Sequence, residues 1–136
     1  DYGHHPSEVN ATIEAVRRGW PQARLLMVYQ PHRYSRTLEL FDQFIDVLSQ
    51  VDQLILLETY AAGETPIEGA LGIDLHNQLC IQASTKVHFA ESIDEVPMIL
   101  EGIIDSGDLV ITQGAGETAQ LAHSLTERWH ALRIEA

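Results

Sequence analysis

A rhythm of short apolar runs most constrains the fold of this chain. Leu25–Tyr29 and Leu54–Leu57 are unbroken apolar stretches, and each lies between segments whose apolar residues recur at helical spacing. An apolar run without polar alternation suits a strand covered on both faces. Val9, Ile13 and Val16 form a helical stripe before the first run, started by Pro6 and Ser7 and stopped by Gly19 and Pro21. Leu38, Phe41, Phe44, Ile45, Leu48 and Val51 form the next stripe. Residues 59–72 read as a loop rich in Gly, Ala, Thr and Pro. Beyond it the pattern predicts a helix over Ile73–Ala83, a strand over Val87–Phe89 and a helix over Ile93–Ile104. A strand over Asp108–Thr112, a helix over Thr118–His130 and a short last strand near Leu132–Ile134 follow. Pro97 belongs in a helix's first turn, which leaves the start of its helix open.

Strands alternating with helices make right-handed βαβ units and a mostly parallel sheet. The expected fold is therefore α/β: a Rossmann-like, doubly wound, mostly parallel sheet with helices on both faces. At 136 residues it is most simply one domain. A helix packed on a sheet ordinarily follows a strand, and none precedes Asp1, so the first strand is expected upstream. Hydrophobic residues make up 45%, enough for a core and too many for a disordered chain. No apolar run has the length of a membrane span, and there is no signal-peptide pattern. The one cysteine, Cys80, falls in a helical apolar pattern and reads as a small buried hydrophobe. These features fit a cytoplasmic setting.

The net charge of −12 argues against a nucleic-acid backbone or an anionic membrane as partner. Its distribution says more. No acidic residue lies between Ala15 and Leu38, yet five of the eight basic residues do: Arg17, Arg18, Arg24, Arg33 and Arg36. Arg17, Arg18 and Arg24 are explained as cations at a helix C-terminus. Arg33 and Arg36 are not, because they fall between a strand and the next helix.

Two polar strings stand out, Asp1-Tyr-Gly-His-His-Pro6 and Gln30-Pro-His-Arg-Tyr-Ser-Arg36. In a parallel sheet the loops after the strands open on one edge, where ligands bind. Strands joined by one crossover are usually neighbours, so the two strings should converge there. Residues 59–67 and the Gly114–Glu117 turn should lie along the same edge. Arg33 and Arg36, three apart, could grip one carboxylate or phosphate, helped by the amides that open the next helix. The alternative is that they pair with Glu39, Asp42 or other acids. Tyr2, His4 and His32 add donors and acceptors beside that point; His4 and His32 could orient a nucleophile or take its proton. His5 reads as a loop histidine. His76, His88, His123 and His130 read as surface or packing residues. Adjacent histidines splay apart and no cysteine pair is near, so a zinc site is the weaker reading. Asp1 stands where an acid would meet a ribose hydroxyl or a metal-bound water. Gly114-Ala-Gly116 suits a phosphate-binding turn or simply a strand-to-helix turn. No P-loop motif is present and Lys86 is the only lysine. Phosphoryl transfer of the P-loop type therefore needs residues this chain does not supply.

Taken together the strings resemble the C-terminal domain of the Mur ligases. The carriers are Asp1-Tyr-Gly-His-His-Pro-Ser-Glu-Val9, Gln30-Pro-His-Arg-Tyr-Ser-Arg-Thr37, Tyr60-Ala-Ala-Gly-Glu-Thr-Pro-Ile67 and Gln113-Gly-Ala-Gly116, and the resemblance spans essentially the whole chain. Within the family they are most similar to the members that join L-alanine to UDP-N-acetylmuramate. The murein-peptide recycling ligases are next, and they usually carry Phe-Ala where this chain has Tyr2-Gly3. The resemblance implies that residues 1–136 are the amino-acid-presenting third domain of a bacterial three-domain ligase of peptidoglycan synthesis. It would pack on the N-terminal and central domains of its own chain and be inactive alone. The implied reaction phosphorylates the muramate carboxylate with ATP, after which the alanine amine attacks the acyl phosphate and phosphate leaves. Mg2+ would be held mainly by the central domain, with no metal ligand on this chain. Arg33 and Arg36 would hold the alanine carboxylate, Tyr2, His4 and His32 would shape that pocket, and Asp1 would contact the ATP ribose. The roles of His5, Glu64 and Glu117 are left open. A stand-alone module binding another small anion is the reading from a different class.

Overall fold

The computed structural model describes residues 4–114 and 117–135, with side chains through Glu127. Six helices and four strands follow in order: α1 Pro6–Gly19, β1 Leu25–Gln30, α2 Tyr34–Glu39, α3 Phe41–Leu48, β2 Gln53–Leu57, α4 Gly72–Gln82, β3 Lys86–Ala90, α5 Val96–Ile103, β4 Leu109–Gly114 and α6 Thr118–Glu135. A single 3-10 turn, Ile93–Glu95, leads into α5, and Pro97 sits in its first turn. The sheet is wholly parallel, in the order β3-β2-β1-β4.

The alternation of side chains along β1 divides the core. Leu25, Met27 and Tyr29 meet Val9 and Ile13 of α1, Phe44 and Leu48 of α3, and Leu75 and Leu79 of α4. Leu26 and Val28 point the other way, onto Val96 and Leu100 of α5 and Leu121 and Leu125 of α6. All six β1 residues are buried, which is why their run shows no polar alternation. The chain steps outward from β1 to β2 to β3, then α5 carries it back to β4 on the far side of β1. The order therefore reverses between β1 and β4, the point where open α/β sheets form a ligand crevice at the strands' carboxyl ends.

Both edges of β1 are thus occupied, by β2 and β4. A strand preceding α1 could join the sheet only at an open edge, that of β3 or β4, so the neighbour rule does not bring the two polar strings together. Helix α1 does so instead. It packs on the α3 side of the sheet, and His4 at its N-terminal end comes within 6.0 Å of His32, just past the end of β1.

Several local expectations are corrected. The stripe from Leu38 to Val51 is two helices, broken at Leu40 (φ −110°, ψ 22°), and Leu38 is half exposed while Val51 is buried beyond the second. Cys80 is exposed, because Leu75 and Leu79 form the buried side of α4 and Cys80 falls one position past it. No strand forms near Leu132–Ile134; α6 continues through them. Arg17 is a last-turn cation as expected, and it also donates to the Gln50 carbonyl (2.9 Å) and pairs with Asp52 (3.3 Å). Arg24 belongs to no helix. It grips Asp108 with two hydrogen bonds, Nε to Oδ1 at 3.0 Å and Nη2 to Oδ2 at 2.6 Å, and donates to the Ile103 carbonyl that ends α5. These bonds fasten the entry of β1 to the entry of β4, where Leu109 N donates to the Arg24 carbonyl.

The exit of that same strand pair is set by Gly114, with φ +140° and a backbone so close to β1 that a Cβ would stand 2.7 Å from the Gln30 carbonyl oxygen. Gly114→Ala should therefore cost about 2 kcal/mol or more in chemical denaturation. Gly102→Ala, in α5 with open space around it, should be neutral or stabilising and serves as the control. Arg24 holds the Asp108 carboxyl below the usual carboxylate range, chiefly through its hydrogen bonds. A depressed folded-state pKa adds stability above the unfolded value, and that stability is lost as pH falls through the folded one. Asp108→Asn should lower Tm by several degrees at pH 7, and the gap to the wild type should close below about pH 4.

Candidate anion-binding site

The pairing of β1 with β2 does not stop where the strands end. Tyr60 N donates to the Pro31 carbonyl and Arg33 N to the Tyr60 carbonyl, both at 2.8 Å, and His32 and Tyr60 form one further parallel bridge. This added rung carries His32 and Arg33 beyond the sheet edge on a fixed backbone. Arg33 is held at φ 71°, ψ 135°, a conformation that residues other than glycine rarely adopt. Its neighbours hold it there: Tyr60 takes its amide, and helix α2 starts at the next residue.

Three rings line up on this rung. His32 stacks on Tyr60, with centroids 5.5 Å apart and planes 11° apart. The His4 ring lies 6.0 Å from that of His32, tilted by 49°. It is delivered by the start of α1, where His5 caps the helix: its Nδ1 accepts from Ser7 N at 3.1 Å. His5 is thus more than a loop residue, since it fixes the direction in which the first string leaves the helix. Burial lowers the His32 pKa, and the charges of Arg36, Arg33 and His4 lower it further, which favours the neutral ring. Arg36 Nη1 lies 3.5 Å from both His32 Nδ1 and the His32 carbonyl oxygen.

Arg33 is exposed and Arg36 half-buried, and among the described residues no carboxylate is within ion-pair distance of either. The alternative of pairing with Glu39 or Asp42 is therefore not met. Two guanidinium groups outside any such ion pair at one sheet edge, beside a histidine whose pKa is lowered, can bind a small anion. One expected helper is already engaged. The second amide of α2, Ser35 N, donates to Glu64 Oε1 at 3.1 Å, and the Ser35 hydroxyl donates to the other oxygen. These two bonds hold the Glu64 carboxyl below the usual carboxylate range.

Of the residues singled out in the sequence, His4, His32, Arg33 and Arg36 are brought to one edge. Asp1, Tyr2 and the Ala115-Gly116 part of the glycine turn lie outside the described residues. Tyr60 and Glu64 had no assigned role in the sequence. The signal for them was their place in the loop after a buried strand. Glu117 lies elsewhere on the edge, in an acidic cleft of about 510 Å3 on the α5 and α6 side with Gln30, Glu58, Glu91 and Asp94. Among the described residues no three His, Cys, Asp or Glu side chains gather in a group able to hold a metal ion. No described helix is long and apolar enough to cross a membrane.

The fold recurs in solved structures. UDP-N-acetylmuramate-alanine ligase from Thermotoga maritima matches over 96% of this chain and 26% of its own, with a TM-score of 0.71 and 20% identity. A murein peptide ligase from Psychrobacter arcticus matches over 93% and 26%, with a TM-score of 0.72 and 16% identity. The bifunctional folylpolyglutamate synthase/dihydrofolate synthase from Yersinia pestis, complexed with AMPPNP and a manganese ion, matches over 93% and 27% at a TM-score of 0.62 and 16% identity. The chain thus spans about a quarter of the length of these proteins. The family model for the Mur ligase glutamate ligase domain matches residues 1–116, and it takes in each of the strings that frame the site. The chain belongs to the Mur ligase family, whose members are ATP-dependent ligases, and what it carries is their C-terminal domain.

Proposed function

We propose that this domain presents L-alanine to an acyl phosphate in the ligase that joins L-alanine to UDP-N-acetylmuramate for peptidoglycan synthesis. The observation that carries the reading is the pair Arg33 and Arg36, neither in an ion pair among the described residues of a chain of net charge −12. Held by its carboxylate, the amino acid leaves its amine free to attack. The domain then acts by positioning, completed when it closes over the central domain. Arg33 and Arg36 grip the carboxylate. His32, neutral and stacked on Tyr60, walls the pocket with His4 and Tyr2 and accepts a hydrogen bond from the amine. Asp1 reaches the ATP ribose. ATP brings the phosphoryl group, and Mg2+ is held by the central domain rather than by this chain. The partners are the N-terminal and central domains of the same bacterial, cytoplasmic polypeptide, and the domain by itself is inactive.

The likeness to a murein peptide ligase, and to a domain of a putative UDP-N-acetylmuramate:L-alanyl-gamma-D-glutamyl-meso-diaminopimelate ligase, supports a second reading, in which the acceptor is a peptide that begins with L-alanine. Chemistry separates the two. In a peptide the alanine carboxylate has become an amide, and an arginine pair has no charge to hold at that point. Free L-alanine as the better acceptor for the full-length enzyme supports the first reading, and a strong preference for the peptide supports the second.

In the full-length ligase, Arg33→Ala should raise the apparent KM for L-alanine about 10- to 100-fold, the loss expected for a charge-assisted hydrogen bond. The KM values for ATP and the UDP-sugar should stay near wild type; equal small changes in all three would sink the carboxylate clamp. The histidine ring gives a second measurement. By NMR, His32 should titrate below about pH 6.5, and Arg36→Gln should move its midpoint up. Saturating L-alanine should also raise it, since a carboxylate offsets the cationic charge. A midpoint that ignores L-alanine would speak against an anion between these arginines.

A further inference from the structure

We infer that Glu64 is the positioning residue of the arginine clamp: from the loop after β2 its carboxylate fixes the first turn of α2, and through it the directions of Arg33 and Arg36. The inference rests on the clamp reading above and names the group that shapes it.

Helix α2 is short and lacks a cap of its own. Its N-cap residue is Arg33, whose side chain has no acceptor, and the helix runs only from Tyr34 to Glu39. Glu64, from 29 positions along the chain, takes over that task. One of its oxygens accepts from the Ser35 amide and the other from the Ser35 hydroxyl. Two bonds from one planar carboxylate fix orientation as well as distance. Tyr60, from the same loop, holds the Arg33 amide. Arg33 is therefore clasped on both sides by one loop, which accounts for the persistence of its positive φ.

The loop is itself shaped to deliver Glu64. Ala62 and Gly63 both take positive φ, 51° and 85°, and Glu64 N closes the turn by donating to the Ala61 carbonyl at 3.0 Å. Glu64 is half-buried, and among the described residues it makes no ion pair with Arg33. Its charge is felt by Arg33 without an ion pair, while its two hydrogen bonds go to Ser35, so it sets the backbone from which the clamp reaches.

The test uses the full-length ligase with L-alanine, ATP and UDP-N-acetylmuramate. Glu64→Ala should raise the KM for L-alanine about tenfold, leave the other two KM values unchanged and change kcat about twofold or less. Glu64→Gln keeps an oxygen that can accept from the Ser35 amide and should recover most of the loss. Ser35→Ala, which loses only the hydroxyl bond, should fall between and guards against a misfolded Glu64→Ala. If Glu64 acts through Arg33, adding Glu64→Ala to Arg33→Ala should worsen KM little beyond Arg33→Ala alone. An additive double variant would overturn the inference. So would a lowered KM for L-alanine in Glu64→Ala, because Glu64 would then be an occupant that the substrate displaces. If Arg33→Ala raises KM and Glu64→Ala does not, the clamp stands and the role of Glu64 falls. If Arg33→Ala has no effect, both fall together.

Discussion

The enclosure of β1 is the constraint on which the rest depends. It has strands on both edges and helices on both faces, and all six of its residues are buried. A strand so enclosed cannot slide, because a one-residue slip would turn its apolar side chains toward the wrong helices. Its carboxyl end is therefore a fixed origin. The rung that pairs His32 with Tyr60 extends this rigidity one step past the sheet, and Arg33 and Arg36 reach out from there. A site that works by positioning needs such a base, since a small misplacement of a reacting group costs rate steeply.

The charge pattern follows a similar division of labour. Of the five cations between Ala15 and Leu38, Arg17 and Arg24 fasten strand entries through Asp52 and Asp108. Arg24 joins β1 to β4 and ends α5 at once, so it acts at the end of the sheet opposite the site. Arg33 and Arg36 lie at the other end with no such partner among the described residues. The acidic cleft on the α5 and α6 side adjoins them. An anion approaching this edge meets repulsion on one side and attraction on the other, a field that selects where it settles.

Much of the fold was legible because burial writes directly into sequence. The doubly covered strands showed as unbroken apolar runs, and the helices as stripes such as Val9 and Ile13. The misreadings came where spacing was ambiguous. Leu38 and Val51 sit in phase with α3 yet lie outside it, and periodicity alone does not reveal a break of one residue at Leu40. Cys80 lies next to a buried leucine, and a small residue there fits either side of a helix. Leu132–Ile134 is too short to tell strand from helix. Of the site, the arginines were legible by elimination, since charge counting left them without a structural task. Tyr60 and Glu64 were legible only as members of a loop after a buried strand, because their roles arise from contacts with a segment about 30 residues away.

The same elimination explains why the site is assembled from two loops rather than one. A single strand-to-helix loop has its own helix's first amides to offer an anion. Here one of them, Ser35 N, is taken by Glu64, so attraction comes chiefly from side chains, and the backbone that carries them is held from elsewhere. Guanidinium groups discriminate by direction, through paired hydrogen bonds in a plane, whereas a helix terminus attracts anions with little regard to shape. Handing the amide to Glu64 and the recognition to Arg33 and Arg36 exchanges general attraction for directed attraction. On the proposed reading, in which the domain presents an amine at a fixed angle, direction is the property that matters, and the strained backbone at Arg33 is what that arrangement costs.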